Sequence, residues 1–400
     1  MTVAFVLLFA VAAVVALATR KLRIPYTAAL VIAGFGLGHV SKIHVPQLSH
    51  ELLFDVFLPG LLFEAAFHLP WHELRRNALT IVSLAVPGVV ACIALTAIGL
   101  RAFSVALHLD IAVGACVLFG AVVAATDPIA VVGVFRALGA PRRLTVLIEG
   151  ESLINDGTAV VLFSIVLARV AGDASSLGGA VVDFVRVSGV GIVVGLVIGF
   201  VVSVVIKRIE DAQLEIALTG LAAYGSFIVA DTFDGSGVLA TCAAAMVCGS
   251  YGVPNGMTHA TREAVESFWE FVAFALNSVV FLLVGVEGSS AGMFAHLREI
   301  FAAFVAMMLA RLVVVALVAL VVSRTRERID WRSTLMLTWG GLRGALSMVL
   351  ALSLPESYAG RTVVVTLTSG AVMTSIVVQG LTASRVLGAL GIRGLVDGER

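Results

Sequence analysis

The stretch GAVVAATDPIAVVGVFRALGAPRRLTVLIEGESLINDG, residues 120–157, decides both the fold and the function expected of this chain. It contains two apolar segments joined by a basic turn. A charged side chain at the centre of a bilayer costs about 2.5–3.5 kcal/mol on insertion scales, so a carboxylate is expected there only where it binds a ligand or a partner. Four acidic residues lie inside these segments or at their ends: Asp127, Glu149, Glu151 and Asp156.

The composition places these acids in a membrane. Of the 400 residues, 60% are hydrophobic and only 13% are charged, and the formal net charge is zero. Soluble domains contain about 25% charged residues, so the composition indicates a polytopic membrane protein embedded in a lipid bilayer. A neutral chain also argues against nucleic acid as a partner, because binding to phosphates requires a basic surface.

Apolar runs along the chain predict an all-α protein with about thirteen transmembrane helices in a single domain over residues 1–400. A membrane-spanning helix needs about 20 apolar residues, and no long polar segment separates the runs. The predicted helices cover residues 2–19, 25–40, 50–69, 79–100, 111–137, 145–170, 180–206, 213–232, 236–252, 264–287, 294–323, 331–354 and 362–386.

The basic residues of the loops predict the orientation. With thirteen helices, 18 of the 26 lysines and arginines fall on one side of the membrane, among them Arg23, Arg393 and Arg400, and six on the other, among them Lys42. Cytoplasmic loops carry the excess of Lys and Arg. We therefore expect a multi-pass protein of the plasma (inner) membrane, with its N-terminus outside and its C-terminus in the cytoplasm.

Helix-breaking residues cluster in the fifth and twelfth runs. Pro128 has no N–H, so the carbonyl of Ala124 loses its helical partner, and the twelfth run contains GGLRG at 340–344. Each broken run is the middle of three, within 79–170 and 294–386, and the two triplets run in opposite directions. Broken helices at matching positions predict a transporter built on an inverted repeat. The alternative is that these residues serve close helix packing.

One side of the sixth run is polar. Ser152 and Asp156 are four residues apart and share a helix face, and Glu151 and Asn155 occupy the adjoining strip. A cation such as Na⁺ requires several hard oxygen ligands. The expected Na⁺ ligands are the carboxylates of Asp127 and Asp156, the hydroxyl of Ser152 and a freed carbonyl near Thr126.

The same carboxylates bind protons, so a proton and a cation compete for one group. If the protein changes its open side only when that group is neutralised, exchange follows without further machinery. The alternative for the two aspartates is a structural ion pair with Arg311 or Arg343. For Glu151 an ion pair is the preferred interpretation, with Arg343 as its partner, because a buried arginine needs a carboxylate. Asn155 is expected to brace this assembly by hydrogen bonds.

Six motifs, in this order along the chain, resemble those of monovalent cation:proton antiporters, the sodium/proton exchangers of the NhaP and NHE type in their prokaryotic branch. The combination of an acidic ESLxND run with TDP and GLRGA is specific, although none of the three is specific alone. The motifs are FLPGLLFEAAF (57–67), TDP (126–128), EGESLINDG (149–157), FWEFVAFALNSVVFLLVG (268–285), WGGLRGALS (339–347) and VQGLT (378–382).

The resemblance implies a thirteen-helix antiporter fold with two crossing broken helices, the fifth and the twelfth. Its six-helix, ion-transporting core would comprise residues 79–170 and 294–386. The remaining helices, in 2–69 and 180–287, would form a dimerisation domain, which implies a homodimer. Activity would be secondary antiport of Na⁺ for H⁺ by alternating access, with a role in pH homeostasis.

The resemblance also implies roles for single residues. Asp156 matches the central ion- and proton-binding carboxylate of the family, and Asp127 its partner. Thr126 and Ser152 match ligands of the cation. Glu151 and Arg343 match a buried stabilising pair, and Arg311 matches a second recurrent basic residue. The asparagine before the central aspartate, Asn155, is typical of the branch linked to electroneutral exchange.

Other functions remain open at this stage. A potassium-preferring exchanger would use the same oxygen ligands, and lithium is a further candidate ion. A cation channel would need a filter of backbone carbonyls or a ring of charges, and no TVGYG-like run is present. A membrane-embedded hydrolase would need a nucleophile with a base in reach, which no mid-membrane histidine provides. We therefore expect a transporter, not an enzyme, with no cofactor besides its transported ions.

Overall fold

The computed structural model of the protein describes residues 2–22, 25–39, 52–172, 176–290 and 293–392. Over these residues the chain forms helices and short turns, and no β-strand occurs among them, which confirms the all-α prediction. Four of the basic residues that predict the orientation lie outside the described residues: Arg23, Lys42, Arg393 and Arg400. Parts of the predicted helices 25–40 and 50–69 also lie outside them.

Twenty α-helices follow one another along the described residues. Four five- or six-residue π-helical turns, Leu52–Phe57, Leu221–Gly225, Cys248–Gly252 and Ser375–Gln379, and a short 3₁₀ turn, Met293–His296, continue or join them. The helices are α1 (Thr2–Leu22), α2 (Tyr26–Gly38), α3 (Leu58–Phe67), α4 (Trp71–Arg76), α5 (Ala78–Ala85), α6 (Pro87–Ala106), α7 (Val113–Val122), α8 (Ile129–Leu138), α9 (Arg142–Val170), α10 (Leu177–Ile206), α11 (Ala212–Gly220), α12 (Ser226–Thr232), α13 (Gly237–Val247), α14 (Val253–Gly256), α15 (His259–Ser290), α16 (Leu297–Val322), α17 (Trp331–Gly340), α18 (Ala345–Leu352), α19 (Arg361–Thr374) and α20 (Gly380–Ala389).

The apolar length of these helices supports a polytopic membrane protein. Eight continuous helical segments in the described residues are long and apolar enough to cross a bilayer, or nine when the bent pair α17–α18 counts as one span. Three shorter apolar helices accompany them, Leu8–Thr19, Tyr26–Gly38 and Val113–Val122. The count of thirteen is therefore not confirmed. An apolar run in the sequence looks the same whether it forms one long helix, a broken helix or a short helix, and only the structure distinguishes these cases.

Both predicted breaks are present. Between α7 and α8 the chain is not helical over residues 123–128, and Pro128 is the last residue of this break. Between α17 and α18 the chain unwinds over residues 341–344, and the two halves are bent by 47°. In each case the breakers named from the sequence lie within the break or at its ends.

The chain divides into two compact units. The first contains Met1–Ser49, Leu79–Asn155 and Ser278–Arg400, and the second contains His50–Ala78 and Asp156–Asn277. The division falls inside three helices, α5, α9 and α15. In the first unit α6 packs closely on α7, where a Cβ at Gly120 would come within 2.7 Å of the carbonyl oxygen of Ile93. Both broken helix pairs belong to this first unit.

The second unit is packed on a glycine ridge of α10. Gly191, Gly195 and Gly199 follow one another every four residues, and each lies against the backbone of the segment 236–244, which contains α13. A Cβ at Gly195 would lie 2.1 Å from the carbonyl oxygen of Ala240. Small residues let membrane helices approach to backbone contact. The ridge therefore faces a neighbouring helix of the same unit.

Candidate functional site

The break before α8 frees three consecutive backbone carbonyls. In a continuous helix the carbonyls of Ala124, Ala125 and Thr126 would accept hydrogen bonds from residues 128–130, but Pro128 has no N–H and the helix restarts only at Ile129. Unpaired backbone groups at membrane depth are tolerated only against protein or water. The partners of these three carbonyls therefore define what surrounds the break.

Side chains of α9 fill part of this role. The hydroxyl of Ser152 donates a hydrogen bond to the carbonyl oxygen of Thr126, and the amide of Asn155 donates to the carbonyl of Ala124 at 3.1 Å and to Oγ1 of Thr126 at 3.3 Å. Ser152, Asn155 and Thr126 are all buried. Because the Ser152 hydroxyl donates its hydrogen bond to the carbonyl of Thr126, the lone pairs of its oxygen remain available to a cation.

Arg343 supplies the rest. Its Nη1 donates to the carbonyls of Ala124 at 3.0 Å and Ala125 at 3.1 Å, and its Nε contacts the sulfur of Met307 at 3.3 Å. The side chain starts from the break between α17 and α18 and ends at the break between α7 and α8. A guanidinium has donors only, so it is suited to a cluster of freed carbonyls.

The buried ion pair of the site differs from the expected one. Glu151 was expected to pair with Arg343, but the carboxylate of Glu151 instead binds Arg311 of α16, with Nη2 2.6 Å from Oε2. Arg311 Nη2 also donates to the carbonyl of Leu337 near the end of α17 at 3.3 Å. The predicted pairing with Arg343 was wrong because the Arg343 guanidinium binds backbone carbonyls instead. Matching buried charged side chains with one another does not consider main-chain acceptors. Asn155 does brace the pair, donating to Glu151 Oε1 at 3.3 Å.

The two breaks are joined through their main chains. The N–H of Asp127 donates to the carbonyl oxygen of Leu342 at 2.8 Å. Gly344 follows closely, since a Cβ at this position would lie 2.2 Å from Oδ2 of Asp127 and 2.3 Å from its Cβ. The side chain of Asp127 is half-buried, and its Oδ1 accepts a hydrogen bond from the N–H of Ile129 at 3.1 Å. The carboxylate of Asp127 therefore lies where the two breaks meet.

The structure thus brings seven predicted site residues together in the first unit. Asp156, the eighth, begins the segment Asp156–Asn277 of the second unit and follows Ser152 by one turn of α9. It is half-buried. The seven are Thr126, Asp127, Glu151, Ser152, Asn155, Arg311 and Arg343.

Sequence reasoning missed two polar residues that hold the second break. The N–H of Arg343 donates to the hydroxyl of Ser375 at 3.0 Å, and the amide of Gln379 donates to the carbonyl of Trp339 at 2.8 Å. Both side chains are completely buried in the span Arg361–Ala389. The signal was present, because a glutamine inside an apolar span must find hydrogen-bonding partners.

The oxygen atoms around Asp127 suit a hard monovalent cation. The Ser152 hydroxyl contacts the main-chain carbonyl of Thr126, Asp127 follows Thr126 directly in the chain, and the carboxylate of Glu151 on α9 is neutralised by Arg311. Hard cations prefer such oxygen ligands.

The proteins that this chain resembles are transporters of a monovalent cation. Residues 6–389 match the family model described as "Sodium/hydrogen exchanger, transmembrane". The chain is 39% identical to the Na⁺/H⁺ antiporter ApNhaP of Aphanothece halophytica, over 93% of this chain and 71% of that protein. It is 34% identical to the Na⁺/H⁺ antiporter NhaH of Halobacillus dabanensis, over 96% of this chain and 97% of that protein.

A solved structure has the same fold. The sodium proton antiporter MjNhaP1 from Methanocaldococcus jannaschii at pH 8 superimposes with a TM-score of 0.75 over 98% of both chains, at 21% sequence identity. At this identity the likeness concerns the fold alone. Because the family model spans nearly the whole chain, the protein belongs to the transmembrane sodium/hydrogen exchanger family.

Proposed function

We propose that this protein is a secondary antiporter that exchanges Na⁺ for H⁺ across a membrane. The observation that carries the proposal is the position of Asp127 at the meeting point of two broken helices, with Ser152 and Thr126 beside it. Broken helices at mid-membrane are typical of ion sites in transporters. The names of the relatives, Na⁺/H⁺ antiporters, support the same choice of ions.

Competition between a cation and a proton at the two aspartates is the proposed mechanism. Asp156 and Asp127 bind either Na⁺ or protons, while Ser152 and Thr126 add neutral oxygen ligands to the cation alone. The Glu151–Arg311 pair and Arg343 keep the breaks in shape and do not bind the ion. The protein changes its open side only when the site is occupied, so that inward flux of one ion is coupled to outward flux of the other.

Reconstitution into vesicles with an imposed pH gradient tests the proposal. Na⁺, Li⁺ and K⁺ are added in turn, and the pH inside is followed with an entrapped dye. We expect Na⁺ to collapse the gradient, with no dependence on membrane voltage if one cation is exchanged for one proton. A response to K⁺ alone would replace the proposal by a potassium-preferring exchanger, and single-channel currents would replace it by a channel.

Variants assign the site. Asp156→Asn and Asp127→Asn should each abolish exchange, because an amide neither carries the charge that binds Na⁺ nor releases a proton. Asp231→Asn is the matched control, since Asp231 is exposed at the end of α12, and this variant should exchange like the wild type. Exchange that persists in Asp156→Asn would exclude the competition mechanism.

The remaining proposals concern the homodimer and the orientation of the chain in its membrane. Residues 79–170 and 294–386 are proposed as the transporting core, and 2–69 and 180–287 as the surface of a homodimer. The plasma (inner) membrane is the proposed location, and the excess of basic residues in alternate loops supports an N-terminus outside and a C-terminus in the cytoplasm. Cross-linking in membranes and accessibility of a C-terminal tag in intact cells would test these two expectations.

A further inference from the structure

Gln379 lies at the end of the π-helical turn Ser375–Gln379 and is completely buried. Both ends of its amide are engaged. The nitrogen donates to the carbonyl oxygen of Trp339, at the end of α17, at 2.8 Å, and the oxygen accepts a hydrogen bond from the hydroxyl of Ser375. Because the Trp339 carbonyl can only accept, the nitrogen of the amide must face it, which fixes the orientation of the side chain.

The hydroxyl of Ser375 extends this contact to the other side of the break. It accepts a hydrogen bond from the N–H of Arg343 at 3.0 Å and donates one to the side-chain oxygen of Gln379. The result is a directed chain that starts at an N–H just before α18, runs through Ser375 and Gln379, and ends at a carbonyl of α17. These two side chains thus take the place of helical hydrogen bonds that residues 341–344 do not make.

The chain of hydrogen bonds also reaches the ion site. The residue it holds, Arg343, donates to the carbonyls freed at the break before α8, and its neighbour Leu342 accepts from the N–H of Asp127. A shift of residues 341–344 would therefore be transmitted to the carboxylate of Asp127 through the main chain. Packed interiors respond to such shifts as a unit because side chains fill the space around them.

We propose that Gln379 is a positioning residue for cation and proton exchange, holding the break between α17 and α18 so that Asp127 keeps its place. The inference rests on the proposed function. Its essential element is polarity: one donor toward Trp339 and one acceptor toward Ser375.

Gln379→Glu tests the polarity directly. A protonated carboxyl has nearly the same shape and provides one donor and one acceptor, so it reproduces both contacts. An ionised carboxylate provides acceptors only and places a negative oxygen against the carbonyl of Trp339. We expect the ratio of variant to wild-type exchange to be near one at acid pH and to fall at least tenfold as the pH rises, whereas Gln379→Leu loses exchange at every pH.

The control is Gln213→Glu, the same substitution at an exposed glutamine of α11. It should follow the wild type at all pH values. If Gln379→Leu exchanges normally, or if Gln379→Glu loses exchange at acid pH as fully as Gln379→Leu does, the positioning role is excluded.

Hydrogen–deuterium exchange separates this inference from the proposed function. In Gln379→Leu, peptides that contain residues 341–344 and 123–128 should both exchange faster than in the wild type, while peptides from α10 should not. This measurement needs no transport. A wild type without Na⁺/H⁺ exchange would overturn the proposed function alone, and unchanged protection of both breaks would overturn the role of Gln379 alone.

Discussion

Arg311 holds the carboxylate of Glu151 by two parallel hydrogen bonds, Nη1 to Oε1 at 2.7 Å and Nη2 to Oε2 at 2.6 Å. The two side chains are only 4% and 1% exposed. A buried carboxylate with a two-pronged guanidinium partner is neutralised, so Glu151 is a structural acid although it lies one residue before Ser152. The same motif thus contains acids with different roles.

Removing one partner of this pair should destabilise the protein strongly. In Glu151→Gln the charge of Arg311 stays buried without its carboxylate, which costs about 3–5 kcal/mol. Thermal unfolding in detergent measures the loss. The control is Glu149→Gln, which breaks the pair with Arg136, where the two side chains are 70% and 25% exposed, and should cost less than about 1 kcal/mol. Equal effects of the two substitutions would contradict the structural role of Glu151.

A methyl group at Gly344 should displace the ion site. The Cβ of Gly344→Ala would lie 2.2 Å from Oδ2 of Asp127, a distance at which something must move. We expect exchange in vesicles to be lost although the protein still reaches the membrane. Gly133→Ala in α8 serves as the control, because no atom lies within 4 Å of a Cβ there. Normal exchange by Gly344→Ala would show that the position of Asp127 is not critical.

Loss of the Ser152 hydroxyl should weaken cation binding. Ser152→Ala removes a proposed ligand oxygen and leaves the carbonyl of Thr126 without its donor, an effect of about 1–3 kcal/mol. The KM for Na⁺ should therefore rise by about tenfold or more. Ser164→Ala, on the exposed side of the same helix, removes a hydroxyl bonded to the carbonyl of Val160 and should leave KM unchanged. A Ser152→Ala variant with wild-type KM would remove Ser152 from the ligand set.

The glycine ridge of α10 should not accept a larger residue. Gly195→Ala places a Cβ 2.1 Å from the carbonyl oxygen of Ala240, and such overpacking costs about 1–3 kcal/mol. The melting temperature in detergent should fall. Gly189→Ala, with nothing within 4 Å, should melt like the wild type or slightly higher. An unchanged melting temperature in Gly195→Ala would contradict the close packing of α10 on α13.

The N-cap of α17 should contribute stability that depends on pH. Asp330 is partly desolvated, which opposes ionisation, but hydrogen bonds from Ser333 and from nearby backbone groups outweigh this and lower its pKa. A lowered pKa stabilises the fold above the unfolded value of about 4, and this contribution is lost as the pH falls through the lower folded value. Asp330→Ala should cost about 1 kcal/mol at neutral pH. The difference from wild type should shrink in acid; a constant difference would contradict the cap.

The breaks could be predicted from the sequence because their causes are local. Pro128 lacks an N–H wherever it lies, and the glycines at 340–344 favour an unwound segment. The polar face of α9 followed from the spacing of Ser152 and Asp156 alone. These signals need no knowledge of neighbouring helices.

The partners across helices could not be predicted in the same way. Arg311 and Arg343 are both buried arginines, and which of them meets Glu151 depends on how α9, α16 and the second break pack. The carbonyls freed at the break before α8 compete with a carboxylate for a guanidinium, and their positions are known only once the chain is folded. The same holds for Gln379, whose polarity was visible but whose acceptor, the carbonyl of Trp339, was not.

The hydrogen bond from the N–H of Asp127 to the carbonyl of Leu342 has a consequence for how chains of this architecture diverge. No side chain takes part in it, so only a proline at position 127 would delete it outright. The side chains around it can be exchanged one by one while the two broken segments stay joined by this main-chain contact. The proposed ion ligands can therefore change by ordinary substitutions without a new scaffold, and a designer can vary them on a constant frame.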